Sequence, residues 1–193
     1  MQINIENRII IITGPSTTGK TTLAKMIKES SPVQTTIVSH DAIASKIDAK
    51  LSEKLRQEEF YVKMFMEISN ALIHQENKLI IFDVPGIDRN YIFSLLSIVE
   101  TVNHYNDEIT LIKTNLPLKI HQELMQLRAR RDPEVALYFD DFNDYFQNIL
   151  GQREWFEGPF GSLHANYDVD NEYIIGNPKE ITIKFSFPKQ RKI

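Results

Sequence analysis

Gly14-Pro15-Ser16-Thr17-Thr18-Gly19-Lys20-Thr21 fits the pattern G-x-x-x-x-G-K-[ST], that of a phosphate-binding loop. An apolar run, Ile9–Ile12, precedes it, and a segment of helical pattern, Thr22–Glu29, follows. Strand, loop and helix in that order are the context the pattern requires. Gly14 and Gly19 let the backbone wrap tightly enough for its N–H groups to converge on phosphate oxygens. The helix behind the loop points the positive end of its dipole at the same anion. Lys20 would bring a mobile charge to the β- and γ-phosphates, and Thr21 a hydroxyl ligand for Mg2+. The nucleotide-binding set expected from the motif is Gly14, Pro15, Ser16, Thr17, Thr18, Gly19, Lys20, Thr21 and Thr22. A chance glycine-rich turn is the plainer alternative, and motif and context together disfavour it.

Outward from the loop, strand-like and helix-like stretches alternate, which predicts an α/β fold. Arg8–Thr13, Thr35–Ser39, Lys78–Val84, Glu108–Thr114 and Glu172–Ile175 read as strands. The third of these is almost wholly apolar, as a strand covered on both faces should be. Between them, Leu55, Val62, Phe65, Ile68 and Leu72 recur at helical spacing, as do Tyr91, Leu95, Ile98 and Val102 behind a candidate cap at Asp88. Asp132-Pro133-Glu134 has the chemistry of a helix start. The architecture expected is a three-layer sandwich of the P-loop NTPase type, with a mainly parallel five-stranded sheet. Ile181, Ile183, Phe185 and Phe187 alternate with polar residues after the turn Gly176-Asn177-Pro178, which predicts a C-terminal β-hairpin. The whole chain, 1–193, reads as a single domain, with a lid or helical region at about 117–165.

Composition narrows the partners. The net charge is −4, with no basic excess to hold a nucleic-acid backbone. There is no cysteine, which excludes disulfides, thiolate nucleophiles and zinc–thiolate sites. No apolar run approaches the roughly 18 residues of a membrane span. The stretch Met1–Glu6 lacks the basic and apolar regions of a signal peptide, so the expected setting is the cytoplasm.

Asp83 ends the apolar run Leu79-Ile80-Ile81-Phe82, where an acid beside the loop strand would hold Mg2+ directly or through water. The alternative is a cap on the turn Val84-Pro85-Gly86. Asp41 ends the second strand, at the edge where doubly wound sheets bind ligands. It would accept the proton of an attacking hydroxyl or position that hydroxyl. The alternative is an N-cap for a helix starting at Ala42. His40 is the second candidate base. Arg128, Arg130 and Arg131 cluster where a mobile lid would close over a triphosphate. Arg128 and Arg131 share a helix face and Arg130 points elsewhere; the alternative is a solvated face. Tyr138, Phe142, Tyr145 and Ile149 form a helical stripe, read as core packing or as one wall of an acceptor pocket.

Taken together, these features resemble the small P-loop kinases of the chloramphenicol phosphotransferase and zeta-toxin type, and more loosely the polynucleotide-kinase group. The residues that carry the likeness are Gly14–Thr22, Val38-Ser39-His40-Asp41, Leu79–Asp83, Arg128–Arg131 and the segment His164–Asp170. The resemblance implies a catalytic role for Asp41 and a lid role for the arginines. The β-rich stretch Glu180–Phe187 departs from the family, which usually closes with a helix, and Asp83-Val84-Pro85-Gly86 is unusual for it.

The expected activity is therefore an ATP-dependent phosphotransferase, with ATP and Mg2+ as cofactors and a hydroxyl-bearing small molecule as acceptor. The expected catalytic residues are Lys20, Asp41, Arg128 and Arg131, and the metal ligands Thr21 and Asp83. Two alternatives stand beside it. One is a GTPase-like switch, for which Asp83–Gly86 fits D-x-x-G but Ile112–Leu116 offers no guanine-reading Asn-Lys-x-Asp. The other is a non-catalytic nucleotide-binding regulator.

Overall fold

The computed structural model describes residues 1–73, 78–84, 94–95, 97–99, 101, 109–131, 147, 151, 169–176 and 180–187. In chain order the elements are β1 (Gln2–Ile5), β2 (Ile9–Thr13), α1 (Lys20–Ser30), β3 (Gln34–Ser39), α2 (His40–Ala44), α3 (Glu53–Ile73), β4 (Lys78–Asp83), β5 (Ile109–Thr114), α4 (Leu118–Arg131), β6 (Val169–Ile175) and β7 (Thr182–Phe185). Asp88, Tyr91, Val102, the start at 132–134, the stripe residues Tyr138, Phe142, Tyr145 and Ile149, the segment 164–168 and the D-x-x-G residues 85–86 lie outside the described residues.

The main sheet has the order β3-β4-β2-β5-β6, and every neighbouring pair is parallel. A parallel sheet needs both faces covered, and the sequence meets that need with continuous isoleucine-rich strands. Ile9, Ile10 and Ile12 of β2 and Leu79 to Phe82 of β4 are wholly buried. Their side chains alternate between two cores. Ile9, Ile11, Ile80, Phe82 and Leu111 pack with Met64, Ile68 and Leu72 of α3 and with the helical residues Leu95 and Val99. Ile10, Ile12, Leu79, Ile81 and Ile112 pack with Leu23, Ala24 and Ile27 of α1. Each of the larger side chains among these, Ala24 excepted, contributes about 1.5–3 kcal/mol by leaving water.

Two expectations are corrected. On α3 the buried line runs through Met64, Ile68 and Leu72, while Leu55, Val62 and Phe65 are exposed. This helix carries apolar residues on two sides, and residues four apart decide which side packs. The C-terminal strand also does not form a hairpin. β7 pairs in parallel with β1, from Gln2 opposite Thr182 to Ile5 opposite Phe185, in a second, two-stranded sheet. Alternation of apolar residues predicts a strand but does not name its partner.

The small sheet belongs to the core beside α1, where Ile3 and Ile5 are fully buried and Ile183 and Phe185 pack against them. Tyr173 of β6 ties it to the main sheet. Its hydroxyl donates to the Asn4 carbonyl at 2.9 Å and accepts the Asn4 N–H at 3.3 Å. No described helix is long and apolar enough to cross a membrane.

Candidate active site at the carboxyl edge of the sheet

Because β2, β3 and β4 run parallel, their carboxyl ends meet at one edge. β2 leads into the loop 14–19 at the point where strand order reverses, with β4 on one side and β5 on the other. The loop holds three left-handed residues: Gly14 (φ 152°), Thr17 (φ 64°) and Gly19 (φ 89°). They turn the backbone inward and deliver it to α1, whose N-cap is Gly19. No side chain caps the first N–H groups of α1, and its first turn carries no acid. The N–H groups and dipole at a helix N-terminus attract anions.

Lys20 and Thr21 open α1 at this point. The Lys20 ammonium donates to the carbonyls of Gly14 and Pro15, both at 2.9 Å. Burial lowers its pKa from 10.5 to about 8; Asp83 and Asp41 pull the other way, and Arg128 adds to the lowering. Thr21 Oγ1 donates to Asp83 Oδ2 at 2.7 Å, joining the start of α1 to the end of β4. Asp83 lies in register beside Ile12 of β2 and Ser39 of β3. Burial raises its carboxyl above the ordinary 3.8, against the Thr21 hydrogen bond and the Lys20 charge. A buried acid paired with a hydroxyl suits a hard cation. Among the described residues no three His, Cys, Asp or Glu side chains form a metal-binding group. Thr21 and Asp83 together offer oxygen donors of the kind and number that Mg2+ takes from a protein, its remaining positions being filled by water and phosphate. Thr22 is exposed on the first turn of α1.

Asp41 stands one strand further out. α2 begins at His40 with Ser39 in the cap position and no side-chain cap hydrogen bond, so Asp41 is not an N-cap. Its side chain is 90 % exposed and accepts from His40 Nδ1 at 3.2 Å, while the His40 ring packs 4.7 Å from Phe60. The hydrogen bond from His40 holds the Asp41 carboxyl below its ordinary 3.8 against an opposing desolvation. The pull of His40, Lys20 and Arg128 adds to it.

From α4, Arg128 Nη1 donates to Ser16 Oγ at 3.2 Å. Arg130 and Arg131 are exposed. Neither hydrogen-bonds the loop among the described residues, so the structure brings one arginine of the cluster to the site.

No family model matches the sequence, and no curated protein matches it. Solved structures do match. Kti12 of Chaetomium thermophilum, in complex with ADP-AlF3, superposes with a TM-score of 0.57 at 13% identity, over 87% of this chain and 88% of that one. A chain of the Pnkp1/Rnl/Hen1 RNA repair complex gives 0.54 at 18% identity over 81% of this chain, which spans about half, 47%, of its length. A gluconokinase of Sinorhizobium meliloti gives 0.50 at 14% identity, over 88% and 82% of the two chains. This is the fold of the P-loop kinases.

Within the P-loop kinase fold, two residues at the loop carried no sequence signal. The Thr114 hydroxyl, at the end of β5, donates to Thr18 Oγ1 at 2.5 Å and lies 3.3 Å from the Thr13 carbonyl. Thr18 Oγ1 in turn donates to the Pro15 carbonyl at 2.8 Å. His121, the other, is buried on α4 with Nε2 2.7 Å from the Ser16 carbonyl and 3.0 Å from Thr17 Oγ1. His121, Met125 and Arg128 share one helix face.

Proposed function

We propose that this chain is an ATP-dependent phosphotransferase that moves the γ-phosphate to a hydroxyl of a small-molecule acceptor. The observation that carries this reading is that Asp41 follows Ser39, the residue in register with Asp83, at the same sheet edge where Asp83 meets Thr21 and Arg128 meets Ser16 of the loop. A switch needs groups that sense a phosphate; a transferase also needs a carboxylate on the acceptor's side.

In this reading the loop N–H groups and Lys20 hold the β- and γ-phosphates, and Arg128 meets charge on the moving phosphoryl group. Thr21 and Asp83 hold Mg2+, which supplies neutralisation of the phosphate oxygens when bound. Asp41 orients the acceptor hydroxyl. As the acceptor oxygen bonds to the γ-phosphorus, the bond to the β–γ bridging oxygen breaks and ADP leaves. The acceptor proton passes to the Asp41 carboxylate. A carboxyl held below its ordinary pKa is a weak base, which suits a loose transition state in which the proton moves late. Its exposure suits a group waiting for an acceptor.

The test is transfer of labelled γ-phosphate from ATP to a panel of sugars, nucleosides, polynucleotide ends and amino alcohols. Asp41→Asn should bind ATP nearly as well as the wild type and lose about 100-fold or more in transfer, the usual worth of a positioned base. Tight ATP binding without transfer to any class, or full transfer by Asp41→Asn, would contradict the reading.

A further inference from the structure

α4 touches the phosphate loop at two points, both at the same short segment. His121 Nε2 lies 2.7 Å from the Ser16 carbonyl, and Arg128 Nη1 donates to the Ser16 hydroxyl at 3.2 Å. Seven residues apart, the two side chains lie on one face, with buried Met125 between them. A carbonyl oxygen only accepts, so the tautomer at His121 is fixed: Nε2 carries the proton. Thr17 Oγ1, 3.0 Å from the same nitrogen, also donates to the Ser16 carbonyl at 2.6 Å. Thr17 itself is β-branched and left-handed, at φ 64°. Such a residue keeps that conformation only where its surroundings dictate it.

We propose that His121 is a positioning residue. By clamping the Ser16–Thr17 turn it fixes the point from which Arg128 reaches the γ-phosphate. The loop and the arginine are then one unit, coupled through Ser16. The inference rests on the proposed role of Arg128 and needs no knowledge of the acceptor.

The test is the ratio of ATP to ADP affinity, measured with Mg2+ on the full chain. Arg128→Ala should lower the ratio, because only ATP has a γ-phosphate for it. His121→Leu keeps the packing and removes the donor. It should lower the same ratio severalfold, because the Ser16 carbonyl loses one of its two donors and the turn its tie to α4. His121→Gln, whose amide N–H reaches a similar position, should restore most of the ratio. The double variant His121→Leu with Arg128→Ala should be no worse than Arg128→Ala alone, since coupled residues are not additive. A purely structural histidine would weaken ATP and ADP equally and leave the ratio unmoved; that result in His121→Leu overturns the inference alone. An unmoved ratio in Arg128→Ala contradicts the proposed function as well.

Discussion

Lys20 is the residue on which the site's electrostatics turn. Burial brings its pKa down to about 8 from 10.5. The folded chain thus binds fewer protons than the unfolded chain between those values, and the lysine's contribution to stability rises with pH across that window. A triphosphate reverses the imbalance, because its negative charge favours the ammonium form. We predict net proton uptake on ATP binding at pH 8.5 to 9, about the window set by the lowered pKa. Calorimetry in two buffers of different ionisation enthalpy reads it directly. Lys20→Met should abolish the uptake; uptake that survives the substitution would assign the proton elsewhere.

Between elements, β5 approaches the loop closely at Gly14. A Cβ on Gly14 would overlap the Thr114 carbonyl and hydroxyl oxygens, and the φ of 152° disfavours any side chain. Gly14→Ala should therefore cost about 1–3 kcal/mol in urea unfolding and remove nucleotide binding in a fluorescence titration. Normal binding by this variant would mean the loop tolerates a shift of β5. The glycine was legible in the sequence because its spacing to Lys20 is local. Asp83 was legible because it ends an apolar run. Thr114 and His121 were not, because each meets the loop across about a hundred residues of chain and carries no local pattern. Asp41 was half legible: its place after β3 was readable, but only the backbone of α2 separates a cap from an open carboxylate.

At the scale of the whole molecule, the two ends of the described chain close one layer. β1 and β7 lie 180 residues apart by register and complete the core over α1. Their alternation was visible, their pairing was not, since it depends on what the rest of the fold leaves uncovered. Ile5→Ala should destabilise the chain by about 2–5 kcal/mol while the folded fraction still binds ATP. A denaturant titration with and without nucleotide separates the two effects, and loss of ATP binding by folded protein would tie the small sheet to the site. The central claim is that one edge of the main sheet assembles a phosphotransfer site from α1, α2, β4 and α4. A crystal structure with a non-hydrolysable ATP analogue and Mg2+ tests it most directly. The account predicts the γ-phosphate bonded to Lys20 and Arg128, the metal on Thr21 and Asp83, and the Asp41 carboxylate facing the γ-phosphate across open space. A nucleotide bound with Arg128 or Asp41 turned away from the γ-phosphate would contradict it.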